Sequence, residues 1–205
     1  MAGTLRERRR HQLRREIAEQ ALVLAERSGW AAVTVADIAE AAGISRRAFF
    51  THFATKDDAV VHGATDDLEF LERALVNRPP DRSFVDVLRE SAPEWVDEMS
   101  SLSRTRRMRQ AVEREHPEVQ DKVRTARTHV LTALVAPYVA ADLGVDQEEP
   151  LVAVLASAFA GMGAALDDLF ATRGAEALED VRAAVALFEA MMERAAQPRH
   201  GSDHL

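Results

Sequence analysis

Apolar residues recur along the chain at spacings of three and four, the period of helices with one buried face. No stretch alternates convincingly with the period of two that a half-buried strand needs. The pattern predicts an all-α protein of about nine helices. The first covers 8–28, with Ile17, Ala21, Leu24 and Ala25 on one stripe and Gly29 as its stop. Thr34, with Asp37 three residues on, opens a short second helix to Ala42. Gly43 turns the chain, and Ser45 caps a third helix over 46–53. Thr55 with Asp58 repeats the capping pattern and starts a fourth helix that reaches Val76, where Asn77-Arg78-Pro79-Pro80 breaks it. Further helices are expected over 83–99, 103–115, 117–143 (bent at Pro137), 146–170 and 175–196.

Composition narrows what such a bundle can do. With 205 residues, 47% of them apolar, the chain can bury a sizeable core. It has no cysteine, which excludes disulfides, thiolate metal sites and cysteine nucleophiles. The longest uncharged apolar run, 151–166, stops at Asp167-Asp168. It falls short of the roughly 20 residues that span a bilayer and is rich in Ala and Gly, so a buried helix of a soluble protein is expected. The apolar piece 21–25 is too short for a signal peptide, and a cytoplasmic protein with no membrane partner is the expectation.

Charge changes the picture through its distribution. The formal net charge is −8, yet residues 1–55 hold nine Arg against six Asp or Glu, a net of +3, which leaves −11 for the remainder. Arg6, Arg8, Arg9, Arg10, His11, Arg14 and Arg15 crowd the first fifteen positions. A basic arm on an acidic body concentrates phosphate contacts on one face, although a solvated tail has the same composition.

The segment 34–53 reads TVADIAEAAGISRRAFFTHF. Val35, Ile38, Ala39, Ala42 and Ile44 bury one face of the second helix and its turn. Small residues at Ala39 and Gly43 let two helices cross closely, as in a helix-turn-helix. Phe49 and Phe53 pack back on the same core, which leaves Arg46, Arg47, Phe50 and Thr51 to face outward. Arginine reads guanine O6 and N7 with two parallel hydrogen bonds, and the start of a recognition helix reaches base edges. Thr34 stands where a hydroxyl and nearby amides can meet a phosphate. An ordinary pair of core helices with a solvated arginine face is the alternative reading.

These residues resemble the TetR family of repressors over about 12–60. The family's Thr-led helix, Gly-hydrophobic-Ser turn, aromatic stretch and lysine appear as Thr34 with Asp37-Ile38-Ala39, Gly43-Ile44-Ser45, Phe49-Phe50-Thr51-His52-Phe53 and Lys56. The resemblance implies a DNA-binding head, 1–54, whose operator contacts fall to Arg9, Arg10, Thr34, Ser45, Arg46, Arg47, Phe50, Thr51, His52 and Lys56. Lys56 matches a lysine that touches phosphate. Arg47 replaces a small residue, and Phe50 and His52 replace tyrosines, so base preference and phosphate bonding there depart from the family. Ala25 lies where a phenylalanine is common, with Trp30 at hand to fill the space.

Beyond the head the resemblance is one of layout. It implies an effector-binding and dimerisation domain, 55–205, and a homodimer formed through the eighth and ninth helices on double-stranded operator DNA. The eighth helix is apolar nearly all round and must be buried all round. A partner subunit covers it, with Leu155, Phe159, Val181, Val185 and Phe188 as interface residues, or else one chain's own core does. Trp95, Met99, Met108, Phe159 and Met162 are candidates to line a pocket for a small-molecule effector, and equally fill a plain core. The arginines of 104–127 offer an anionic ligand charge, or form a solvated face. The seven histidines form no His-Glu-x-x-His pattern, and there is no Gly-rich phosphate loop or Gly-x-Ser-x-Gly elbow. No catalytic residue, metal ligand or cofactor is therefore assigned. An architectural DNA binder is the remaining rival, and the acidic body argues against it.

Overall fold

The computed structural model describes residues 5–101 and 103–197, which fall into two compact units. Among the described residues there are helices and turns and no strand. The helices are α1 (Leu5–Ser28), α2 (Val35–Ala41), α3 (Arg46–Phe50), α4 (Lys56–Asp66), α5 (Glu69–Val76), α6 (Phe84–Ser101), α7 (Ser103–Glu115), α8 (Pro117–Leu143), α9 (Pro150–Arg173) and α10 (Leu178–Ala196). The all-α expectation holds, with three shifts of boundary. Helix α1 takes in Arg6 and Arg8 to Arg10, whose side chains are exposed along it. Helix α3 ends at Phe50, although the amide of Phe53 still donates to the carbonyl of Phe49 at 3.0 Å.

The third shift divides the expected fourth helix into α4 and α5. The break follows Asp66, and its cause is long-range. Asp66 is drawn to α1, where Arg15 Nε meets it at 2.8 Å, while Asp67 is drawn to Arg109 of α7 at 2.6 Å. Thr65 Oγ1 meanwhile donates to the carbonyls of His62 and Val61 inside the last turn. Two adjacent carboxylates held on different sides stop a helix that local propensity would continue.

The first unit comprises residues up to Phe70 and 101–127. In it α1 packs against α2, α4 and α7. Its core joins Ile17, Ala21 and Leu22 of α1 to Trp30, Ile38, Phe49, Phe53 and Val60, closed by Met108, Val112, Val119 and Val123 of α7 and α8. Trp30 is buried beside Ala25, as expected. Met108, a pocket candidate from sequence, belongs to this core.

The second unit, 71–100 and 128–205, buries one stripe from each long helix: Phe84, Leu88, Ala92 and Val96; Leu131, Val135 and Val139; Val152, Leu155 and Phe159; Val181, Val185, Phe188 and Met192. Its centre is a triad of rings, with Phe159 5.2 Å from Phe84 and 5.3 Å from Phe188, both edge-on. Asp142 of α8 accepts from Arg78 at 2.6 Å and from the amide of Phe84, which fixes the start of α6. All five residues expected at a dimer interface (Leu155, Phe159, Val181, Val185 and Phe188) lie in this core, so their burial requires no second subunit. The apolar face that stays open belongs to other residues, Val154, Leu187 and Met191. Helix α9 over Pro150–Asp167 is long and apolar enough to cross a membrane by length and composition, with a mean hydropathy of 1.6. A third of that span is buried.

Candidate nucleic-acid interface

The turn between α2 and α3 is built by local chemistry. Thr34 closes a capping box: its hydroxyl accepts from the Asp37 amide, and its own amide donates to Asp37 Oδ2 at 2.8 Å. At the other end Gly43 has φ +67, a region L side chains avoid. There its amide donates to the Glu40 carbonyl at 3.0 Å, and that of Ile44 to the Ala39 carbonyl at 2.9 Å. This is a Schellman closure, and it delivers the chain directly to Ser45, whose Oγ accepts from the Ala48 amide at 3.1 Å to begin α3.

Helix α3 is amphipathic over one turn and a half. Phe49 is fully buried and meets Phe53 at 5.7 Å, whereas Ser45, Arg46, Arg47, Phe50 and Thr51 are exposed. Phe50 is 51% exposed, costly for a phenylalanine unless another surface covers it. The hydroxyls of Thr34, Ser45 and Thr51 are engaged by the protein, Thr51 Oγ1 with the Ala48 carbonyl at 2.7 Å. Arg46, Arg47 and Phe50 are the larger exposed side chains of the turn, and the Ser45 hydroxyl, which only accepts, keeps its proton to donate.

His52 stands beside the basic face of α1. Burial, then the charges of Arg10 and Arg14, hold its imidazole below the ordinary histidine range, so it is neutral at pH 7. Arg14 lies over the Phe53 ring at 4.7 Å. Arg9 and Arg10 are exposed on α1, and Arg10 is brought near His52.

Lys56 is placed differently from the role that resemblance implies. Its ammonium donates to the carbonyls of Trp30 at 2.6 Å and Val33 at 2.8 Å, and sits 4.5 Å from the centre of the Trp30 ring. It thereby ties the start of α4 to the turn before α2. Trp30 Nε1 donates to Asp57, whose other oxygen accepts from Lys122 of α8 at 2.7 Å. Sequence reasoning missed this tether, because only the turn of Trp30–Ala32 brings those carbonyls together. It also missed the buried arginines. Arg106 and Arg109 face Asp67, and Arg127 donates to the Ala64 carbonyl, so these three are internal braces of the first unit.

Of the pocket candidates, Trp95, Phe159 and Met162 belong to the second unit and Met108 to the first, while the side chain of Met99 lies outside the described residues. Phe159 is committed to the ring triad, whereas Trp95 and Met162 are half-buried.

Residues 17–60 match the family model for bacterial regulatory proteins of the TetR family, and this span contains the capping box, the glycine turn and α3. The family match is therefore one of the helix-turn-helix segment. Solved structures support the fold along most of its length. A Mesorhizobium loti protein assigned to the family's transcriptional regulators is 19% identical, covering 89% of this chain and 97% of that one, with a TM-score of 0.57. The TetR family repressor AlkX from Dietzia sp., implicated in n-alkane biodegradation, is 16% identical over 89% and 98%, at 0.56. Thermus thermophilus FadR, a TetR-family repressor solved with lauroyl-CoA, is 17% identical over 94% and 99%, at 0.54. The search of curated proteins finds no match. What the chain shares with bacterial regulatory proteins of that family is the segment 17–60, and with the solved structures the fold.

Proposed function

We propose that this chain is a transcriptional regulator of the TetR family, a repressor in the cytoplasm, that it binds a palindromic operator as a homodimer, and that a small-molecule effector releases it. The observation that carries the reading is the outward face of α3. Two exposed arginines and a half-exposed phenylalanine stand on a turn fixed at both ends by caps. A rigid turn lowers the ordering cost of docking, and an arginine at the start of such a helix is suited to guanine in a major groove. Phe50 offers a contact to a thymine methyl.

The open faces of α9 and α10 support a dimer through these helices. On α9, Val154, Ser157, Gly161 and Ala165 repeat at helical spacing and are exposed; on α10, Ala183, Leu187 and Met191 do the same. Small residues on one helix and larger apolar ones on the other allow close packing across a twofold axis. Trp95 and Met162 are the side chains through which an apolar effector would act, and the chain passes from the first unit to the second within α5.

Selection of bound sequences from random DNA, followed by footprinting and light scattering, tests the proposal. The expected result is a dimer protecting two inverted half-sites about one helical turn or more apart. A monomer at micromolar concentration with an asymmetric footprint overturns it.

A further inference from the structure

Three titratable side chains of the first unit have no part in the proposed operator contact and converge where α1 crosses α4. His62 and Asp66 are one turn apart on α4, and His11 approaches from α1; one ligand atom from each lies within 4.8 Å of the other two. His11 Nε2 is 2.8 Å from Asp66 Oδ1 and 3.5 Å from Glu69 Oε1. His62 Nε2 is buried with no hydrogen-bond partner among the described residues, and the His11 and His62 rings stand edge-on at 5.8 Å. Arg15 holds the opposite oxygens, Asp66 Oδ2 at 2.8 Å and Glu69 Oε2 at 3.6 Å, so Oδ1 keeps its direction toward the histidines.

From this geometry we propose that His11, His62 and Asp66 form a binding site for a divalent transition-metal ion of the zinc type, joining α1 to α4. Two imidazoles and one carboxylate, from an i, i+4 pair and a second helix, are a recognised zinc donor set, with Glu69 or water as the fourth ligand. Ligands at about 2.0–2.1 Å from zinc lie roughly 3.3 Å apart, so the cluster closes by side-chain rotation alone. Arg14 and Arg15 offset the two carboxylates. Attraction therefore comes from the donor atoms rather than from net charge, which favours zinc, cobalt or nickel over magnesium or calcium. Arg15, bonded to both carboxylates, orients the oxygen ligand. Nothing in the operator proposal depends on this site.

Titration of the full-length chain with zinc against a chromophoric chelator, repeated with cobalt for its visible absorption, is the test. We expect one ion per chain, four-coordinate cobalt bands, and a weakening of about 100-fold or more in His11→Ala, a half-exposed position on the surface of α1. Asp66→Asn serves as the second variant, with circular dichroism to verify helix content. His200→Ala with His204→Ala removes the chain's single pair of histidines spaced by four and is expected to leave the ion in place. Absence of stoichiometric binding overturns the proposal. So does binding that survives in His11→Ala and is lost in the His200, His204 variant.

Discussion

In the first unit, helices are tied to one another by charged groups whose partners can be named: Lys56 on two carbonyls, Asp57 with Lys122, Asp66 with Arg15, Asp67 with Arg109. In the second unit the centre is three phenylalanine rings and four apolar stripes, with polar ties such as Arg78 to Asp142 beside them. Helix length contributes to the difference. Helices α2 and α3 have seven and five residues, too short to present a long apolar stripe, so the caps at Thr34 and Ser45 set their starts. Helices α8 and α9 have 27 and 24 residues and align through burial. A surface that must keep two arginines in register on a fixed groove gains from directional contacts.

Separate cores imply separate losses. Phe188→Ala is expected to cost about 3–5 kcal/mol, and Phe49→Ala a similar amount. The chain has two tryptophans, Trp30 in the first unit and Trp95 in the second. Fluorescence of single-tryptophan variants (Trp30→Phe or Trp95→Phe) therefore reports each unit by itself. Phe188→Ala should lower the urea midpoint seen by Trp95 more than that seen by Trp30, and Phe49→Ala the reverse. Equal shifts at both probes would mean that the chain unfolds as one body.

Close behind comes Asp67→Ala. It removes a carboxylate that faces the buried Arg106 and Arg109, and breaking a buried pair costs about 3–5 kcal/mol, with the lower end expected because Glu113 stays 3.1 Å from Arg109. Replacing it with Asn should recover part of the loss through hydrogen bonding. A change under 1 kcal/mol for Asp67→Ala would show that solvent reaches these arginines, and the contrast between charged and apolar units would weaken.

Much of this contrast could be read from the chain beforehand, and the part that could not has a physical reason. The capping pairs Thr34 with Asp37 and Thr55 with Asp58, the glycine turn at Gly43 and the buried Phe49 are local patterns, and the structure has each of them. The α4–α5 break depends on Asp66 and Asp67 finding partners 51 and 42 residues away, which no local pattern encodes. The same holds for Lys56, whose two acceptors belong to a turn more than twenty residues earlier. In the second unit the periodicity named the right stripes but not what each stripe meets. Leu155 and Val185 are as apolar as any interface residue, and only the fold shows them facing inward.

The tether and the reading face make a smaller, separable pair. Lys56→Ala should destabilise the first unit by about 1.5–3 kcal/mol, the range for hydrogen bonds to a charged group. It should lower affinity for all DNA sites alike while leaving the salt slope unchanged. Arg46→Ala should leave stability alone and cost about 1–3 kcal/mol at one base position. Binding isotherms across salt concentrations decide between tether and phosphate contact. A slope reduced by about one in Lys56→Ala would place the ammonium on a phosphate instead.

The smallest effects test whether a cap serves its own helix or the surface beyond it. Thr34→Ala and Ser83→Ala remove the same two bonds of a capping hydroxyl, its donation to the aspartate and its acceptance from that aspartate's amide, one cap in each unit, and each should cost about 1 kcal/mol. Asp37 and Asp86 are both held below the ordinary carboxylate range. Their ionised forms accept first from the capping hydroxyl, of Thr34 or Ser83, and then from that residue's amide. A carboxyl depressed by folding binds fewer protons folded than unfolded. Its contribution is thus complete above the unfolded value near 3.8 and is lost as pH falls through the lower folded value. Thermal unfolding between pH 5 and 2.5 should accordingly be less acid-sensitive in either alanine variant than in the parent. Operator affinity separates the two. Thr34 opens α2, whose closing turn delivers the chain to Arg46, so Thr34→Ala should weaken DNA binding at neutral pH while Ser83→Ala does not. Equal operator affinity in both variants would mean that the Schellman closure at Gly43 orients α3 alone, and the cap at Thr34 would then matter for stability only.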